Sequence, residues 1–280
     1  VTLGTWRLGE HDVRRIGFGA KRLYGDRGEV LALLRRVVEL GVNHIDTATF
    51  YPSQPAPELG FNGMRTLGWA NAMLREALSP YPEDLLIATK VGPVADGMAR
   101  PDQLRDLVLE NLRDLGRDHL DLVYLRQHGL PSIAEHLGVL VELRDEGLLR
   151  HIGLSNVRAP LVDEAVTLTP VAAVSNRYGV DFGRANDDLL RSCGERGIAF
   201  VPFFALAGEG REAGGVATTD AVRAVAARHG ATEAQVRLAW TLAQGAHVLA
   251  IPGTGNPDHL VENLAAGDLA LGEEDLALLG

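Results

Sequence analysis

The sequence predicts an α/β fold, a (β/α)8 TIM barrel in a single domain spanning residues 1–280, and three observations lead there. Eight short apolar runs recur along the chain, and helical patterns fill the intervals between them. The runs are continuously apolar rather than alternating, as in strands buried on both faces of a parallel sheet. The 280 residues are 46% hydrophobic, enough for the core of one α/β barrel, and no Pro/Ser tract or low-complexity block marks a linker.

The opening "VTLGTWRLGEHDVRR" precedes the first barrel run and reads as a hairpin plugging the barrel floor. The runs are "RRIGFGA" (14–20), "NHIDTA" (43–48), "LLIATKV" (85–91) and "LDLVYLR" (120–126), then "LRHIGLS" (149–155), "VAAVSNRY" (171–178), "IAFVPFF" (198–204) and "HVLAIPG" (247–253). Between them, 28–41, 100–116 and 131–147 carry apolar residues at helical spacing, and each ends in glycine. Residues 218–230 and 232–245 form an extra helix pair before the last run, and 256–266 follows it. An open doubly wound sheet is the competing layout. It requires a glycine-rich phosphate turn leading into a helix, and "GFGAKRLYG" (17–25) has no helix directly behind it.

Composition narrows the partners. The net charge is −10, with acids and bases scattered, so neither a nucleic-acid face nor a polybasic membrane arm is expected. The one cysteine, Cys193, sits in a helical pattern as a core residue and fits a reducing compartment. The histidines lack ligand spacing, so no metal site is expected. With no signal-like start and no spanning apolar stretch, the expectation is a cytoplasmic protein, monomeric or weakly oligomeric, acting on a small molecule.

Barrel sites lie at the C-terminal ends of the strands. Asp46 falls near the end of the second run, Lys90 ends the third, and Tyr51 follows Asp46 in "DTATFY". Neighbouring strand ends bring these three together at the barrel mouth. A tyrosine is a weak acid with a pKa near 10, and an adjacent cation lowers it. Asp46 would hold the lysine, and Tyr51 would protonate a carbonyl oxygen while a cofactor delivers hydride. A structural Asp46–Lys90 ion pair with Tyr51 as a loop aromatic fits the spacing equally well.

The ordered set "GVNHIDTATFY", "IATKVG", "IGLSNV", "NRYGV", "GIAFVPFFAL" and "IPGTGNPDHLVENL" resembles the aldo-keto reductase superfamily over essentially the whole chain. "FGAKRL", "PYPEDLLIATKVG" and "VPFF" are similar to its bacterial oxidoreductase and pyridoxal-reductase-like branch. The resemblance implies a (β/α)8 barrel and NADP(H)-dependent reduction of an aldehyde or ketone, with Tyr51 as acid and Lys90 and Asp46 tuning it. It also admits a redox-neutral cofactor-assisted reaction, such as an epimerisation, and an NADP(H)-binding regulatory subunit.

The same resemblance implies cofactor contacts from Ala20, Lys21 and Arg22, and from Asp46. Ser155 and Asn156 match the pair that binds the nicotinamide carboxamide, with Ser175 where the family usually has Gln. Phe203 matches a ring stacked on the nicotinamide, with Phe204 and Leu206 beside it. Gly253, Thr254, Gly255, His259, Glu262 and Asn263 match the segment that holds the adenosine end. Many relatives carry Lys and Arg where this chain has Gly253 and His259, which weakens the preference for the phosphorylated cofactor. The glycine-rich stretch 208–215 matches a loop over the pyrophosphate, and a plain flexible loop fits it equally well.

Tyr24 and Tyr178 are expected in the substrate pocket. Residues 52–68 are an insertion expected to act as a lid, in place of the C-terminal loop of longer relatives, with Phe61, Met64 and Trp69 as its apolar walls. The family histidine at the end of the fourth strand falls on Arg126, with His128 two residues on. Arg126 is the expected oxygen-facing group, and His128 reaches in instead if the loop shifts.

Overall fold

Barrel closure is written in the backbone hydrogen bonds. The computed structural model describes residues 4–51, 68–95, 97–182, 184–206 and 219–280. Its barrel strands are β3 (Phe18–Gly19), β4 (His44–Asp46), β5 (Leu86–Val91), β8 (Leu120–Arg126), β9 (Leu149–Ser155), β10 (Ala173–Ser175) and β11 (Ala199–Phe200). Among the described residues these form one parallel sheet in the order β11-β10-β9-β8-β5-β4-β3. The eighth run, 247–253, joins the two edges. Leu249 N–H donates to Phe200 O at 2.9 Å on one side, and Gly17 N–H donates to Ala250 O at 2.8 Å on the other. Ala250 N–H returns a bond to Arg15 O at 2.8 Å. The sheet edges are thereby paired, which removes the open-edge hazard.

A hairpin of β1 (Thr5–Leu8) and β2 (His11–Arg14) lies at the floor, antiparallel, with Trp6 opposite Val13. Leu8 and Val13 pack with Leu86, Ala88, Leu122, Tyr124, Ala173, Val201 and Leu249 in one buried cluster, the barrel interior. The expected floor plug is therefore present. A second small hairpin, β6 (Pro93–Val94) with β7 (Gly97–Met98), follows β5.

The helices α1 (Arg27–Glu39), α2 (Trp69–Leu78), α3 (Leu104–Leu115), α4 (Ala134–Asp145), α5 (Ala159–Leu168) and α6 (Asp187–Glu195) follow the strands in turn. Then come α7 (Asp220–His229), α8 (Glu233–Ala243), α9 (Pro257–Ala265) and α10 (Glu273–Leu279). Local chemistry sets their ends. Asp26 accepts from the Gly28 backbone at 2.7 Å to start α1. Thr232 and Gln235 form a capping box at α8. Gly116 stops α3 with φ at 65°, a conformation glycine adopts at no steric cost. The outer core lies between the sheet and these helices, built from Leu34, Leu74, Val108, Leu137 and Trp240 among others.

Several runs yield shorter strands than their apolar length predicts. Residues 171–178 give only Ala173–Ser175, and 198–204 only Ala199–Phe200. Backbone pairing nonetheless continues upward, with Val201 N–H on Val174 O at 2.8 Å and Phe203 N–H on Asn176 O at 3.0 Å. The expected lid residues 52–67, with Phe61 and Met64, and the stretch 208–215 lie outside the described residues.

Candidate active site

Alternation along the strands decides what the barrel mouth contains. Leu86 and Ala88 face inward on β5, so Lys90 does too; Leu122 and Tyr124 do so on β8, and Arg126 follows. Register sets Arg126 beside Ser155, and Ser155 beside Ser175. On β4 the inward positions are His44 and Asp46, with Asp46 beside Ala88. The top inward layer is thus polar, while the layers below carry Leu86, Ala88 and Leu122 together with His44 and Tyr124.

In that layer three side chains meet. Lys90 Nζ lies 2.5 Å from Asp46 Oδ1 and donates to Tyr51 Oη at 2.8 Å, and Tyr51 donates to Asp46 Oδ1 at 3.1 Å. Lys90 also donates to the Thr47 carbonyl at 3.0 Å. Asp46 and Lys90 are each at most 4% exposed and Tyr51 is 8% exposed. Asp46 and Thr47 are held from behind. Thr47 Oγ1 donates to Asn71 of α2 at 2.8 Å, Asn71 donates to Asn111 of α3 at 3.0 Å, and Thr89 donates to the same Asn111 oxygen at 2.5 Å. A buried, fully joined network of this kind fixes the strand ends against α2 and α3.

The electrostatics differ from the sequence expectation in one respect. Tyr51 is pushed well above its ordinary value, first by burial and then by the Asp46 charge, so the phenol holds its proton. Arg126 is the cation that opposes this rise. Lys90 is pushed down from the usual lysine range by burial, with Asp46 opposing. A lowered tyrosine pKa through Lys90 is therefore not what this site has. Desolvation of the phenol and a carboxylate 3.1 Å away outweigh the cations.

The triad stands in the wall of a cleft at the barrel mouth. Ala20 is buried behind Lys21 and Arg22, which rim this cleft together with Phe203, Phe204 and Leu206. Arg126 and Gly253 reach it too. Arg126 donates to Ser155 Oγ at 3.1 Å, and its guanidinium lies 5.1 Å from the Phe203 ring centroid. Lys21 Nζ sits 5.3 Å from the Phe204 ring centroid. Phe50, Ala205, Ile251 and Pro252 line the cleft as well, and the sequence reading missed them. Their signal was available, since they flank the residues singled out at three strand ends.

Other expected site residues stand elsewhere. Ser175 lines the cleft, whereas Ser155 lies buried beside Arg126. Asn156 has a left-handed φ of 60° and donates its side-chain amide to the Gln127 carbonyl at 3.1 Å, which shapes the turn after β9. His128 is exposed on the turn beyond β8 and does not line the cleft, because the strand ends at Arg126. Thr254 and Gly255 lead from Gly253 into α9, which carries His259, Glu262 and Asn263, and none of the five borders the cleft. Glu262 instead accepts from Thr232 Oγ1 at 2.6 Å, and Asn263 is buried.

Three pocket expectations are corrected. Tyr178 is a core residue: it stacks on Trp240 at 5.7 Å, and its hydroxyl donates to Asp187 at 2.8 Å. Trp69 opens α2 and ties it to the loop between β3 and α1, its Nε1 donating to Leu23 O at 2.8 Å. Tyr24 stands in that loop and does not line the cleft. No group of three or more His, Cys, Asp or Glu side chains suited to a metal ion occurs among the described residues. No described helix is long and apolar enough to cross a membrane.

A barrel with a buried Asp–Lys–Tyr cluster at its mouth invites comparison with known reductases, and the comparisons agree. The sequence profile of the aldo/keto reductase family matches residues 1–279, so the chain belongs to that family of oxidoreductases. Among curated relatives, pyridoxine 4-dehydrogenase of Escherichia coli is 40% identical over 300 residues, covering 100% of this chain and 98% of that protein. An uncharacterized oxidoreductase of Schizosaccharomyces pombe is 36% identical, covering 99% of this chain and 89% of its own. Among solved structures, an aldo-keto reductase from Klebsiella pneumoniae in complex with NADPH superposes with a TM-score of 0.81 at 27% identity, covering 100% of this chain and 94% of that one.

Proposed function

We propose that this protein reduces an aldehyde or ketone to the alcohol with NADPH, and that Tyr51 donates the proton. The observation that carries the reading is the contact cluster of Lys90, Tyr51 and Asp46 in the cleft wall. The cleft fits a nicotinamide dinucleotide by its own chemistry. Among the described residues, Lys21, Arg22, Lys90 and Arg126 face it against the single carboxylate Asp46, a local excess of cations in a chain of net charge −10. Ser175 Oγ is buried with no protein partner and offers a polar contact for a carboxamide. Gly19 and Gly253 line the cleft and lie so close that a Cβ on Gly253 would stand 2.5 Å from Gly19 O, so the two segments pack backbone to backbone at its rim.

When bound, the cofactor supplies the hydride. The protein supplies the rest. Phe203 and Phe204 present rings beside the cleft, and Lys21 and Arg22 offer charge to phosphate groups. Tyr51, kept protonated by burial, is the proton source for the carbonyl oxygen. Lys90, donating to Tyr51 Oη, stabilises the phenolate left behind, and Asp46 holds Lys90 in place. Arg126 lies in the same wall and stabilises negative charge growing on the substrate oxygen.

The test is NADPH absorbance on mixing the protein with a panel of carbonyl compounds. The named activity of the Escherichia coli relative puts pyridoxal first in that panel. Net NADPH oxidation with stoichiometric alcohol supports the reading. Turnover without oxidation points to a redox-neutral reaction, and tight NADPH binding without turnover to a binding subunit; either result overturns the reading.

A further inference from the structure

Below the triad, the barrel interior contains polar atoms that no protein group satisfies. His44 is fully buried and neither ring nitrogen has a hydrogen-bond partner. The hydroxyl of Tyr124, also fully buried, has none, and neither does Asp46 Oδ2. These atoms stand on nearby strands: His44 and Asp46 on β4, and Tyr124 on β8, where it registers with Lys90 of the intervening β5. The Tyr124 ring centroid is 5.8 Å from Lys90 Nζ.

Packing does not explain the choice of residues. Leu86 and Leu122 fill neighbouring inward positions with no polar atoms at all. Leaving a buried donor or acceptor without a partner costs its full desolvation penalty. Room has also been cleared for both side chains. A Cβ on Gly17 would lie 2.6 Å from the His44 carbonyl oxygen and 3.0 Å from His44 Nδ1, and a Cβ on Gly153 would lie 2.6 Å from Tyr124 Cδ1. His44 and Asp46 are same-face neighbours two residues apart on β4, with Cα atoms about 7 Å apart, and make no direct hydrogen bond, an arrangement that one bridging water can join. Both side chains respond to the Asp46 charge: it opposes the burial that takes His44 down to about 4, and it adds to the burial that pushes Tyr124 up.

We infer that His44 and Tyr124 are positioning residues for Asp46, supplying through enclosed water the donors its second oxygen lacks. They hold the rotamer in which Oδ1 faces Lys90 and Tyr51. The inference rests on the proposed role of that triad. It adds a support from inside the barrel to the Thr47–Asn71–Asn111 support from outside.

The experiment is a double-mutant cycle on the full-length protein with NADPH and its best carbonyl substrate. Tyr124→Phe removes one oxygen atom and is expected to lower kcat about 5–10-fold, with KM and NADPH affinity unchanged. In an Asp46→Asn background the same substitution is expected to cost nothing further. His44→Leu is expected to behave likewise, with His44→Gln restoring part of the loss. Unchanged kcat in Tyr124→Phe, or a loss that persists in full beside Asp46→Asn, overturns the inference. Should His44→Leu fail to fold, the Tyr124 cycle decides alone. Tyr51→Phe in the same assay separates the two failures: if it keeps wild-type turnover, the proposed chemistry falls, whereas if it is inactive while Tyr124→Phe is normal, only the positioning role falls.

Discussion

The mouth and the floor of the barrel are built by the same strands and differ in almost everything else. At the floor, inward positions carry Leu86 and Leu122, plugged by Leu8 and Val13 from the hairpin. At the mouth, two inward positions further along those strands, stand Lys90 and Arg126, joined by Asp46, Ser155 and Ser175. Stability comes from the apolar layers, and they make it affordable to bury an ammonium and a carboxylate above them. The lesson is that strand parity, not sequence distance, assigns roles here: moving four residues up a strand, on the same face, turns packing into chemistry.

The widest separation between the two regions is expected from Tyr51→Phe. Loss of the proton donor should cut turnover by roughly 10²–10⁴-fold while NADPH binding, followed by fluorescence, stays near wild type. Lys90→Met should be comparably inactive. It also leaves Asp46 buried without its cation, so chemical denaturation should show a loss of about 3–5 kcal/mol. Wild-type turnover in Tyr51→Phe would dissolve the distinction between mouth and floor.

The converse change is made at the floor. Leu122→Ala removes a fully buried side chain from the interior cluster and should cost about 2–5 kcal/mol of stability. The kcat of the folded protein should be unchanged. A large fall in kcat with intact stability would show that the floor also serves the reaction.

The middle layer can be titrated. Burial takes His44 down from 6.5 to about 4, so the folded protein resists protonation that the unfolded chain accepts. Its contribution is complete above pH 6.5 and is lost as pH falls toward 4, where both states are protonated. The difference is about 3 kcal/mol. Denaturation of wild type and His44→Leu across that window should therefore show a steeper acid loss in wild type. Parallel curves would mean that His44 is solvated and not part of a closed interior.

How legible this was from sequence follows from the same parity. Continuous apolar runs and glycine stops located the eight strand sites, because they record burial on both faces and helix ends directly. The meeting of Asp46, Lys90 and Tyr51 was legible as a possibility, since neighbouring strand ends must converge, but the equal alternative of a plain ion pair was not removable from spacing. Tyr178 was misread because "NRYGV" lies at a strand end, yet the chain has already turned and the ring packs on Trp240 from α8. That contact joins residues more than sixty positions apart, and no local pattern records it. The direction of the Tyr51 shift was also out of reach. It depends on how dry the site is, and dryness is a property of the assembled barrel.

The smallest effect sharpens the boundary of the mouth itself. Arg126 and His128 are two residues apart and would share a face if β8 continued, but the strand ends at Arg126. Arg126 stays in the cleft wall, bonded to Ser155 and beside Phe203, while His128 is exposed on the turn. A guanidinium placed there contributes where negative charge grows on the substrate oxygen, so Arg126→Met should lower kcat, or raise KM, by about 10–100-fold. His128→Ala removes an exposed side chain and should change either parameter by less than about twofold. Arg126 is also the cation that restrains the rise of Tyr51, so its loss should move any alkaline limb of the kcat profile to higher pH. Equal effects of the two substitutions, or a larger one from His128→Ala, would place the oxygen-binding group on the turn and extend the mouth beyond the strand end.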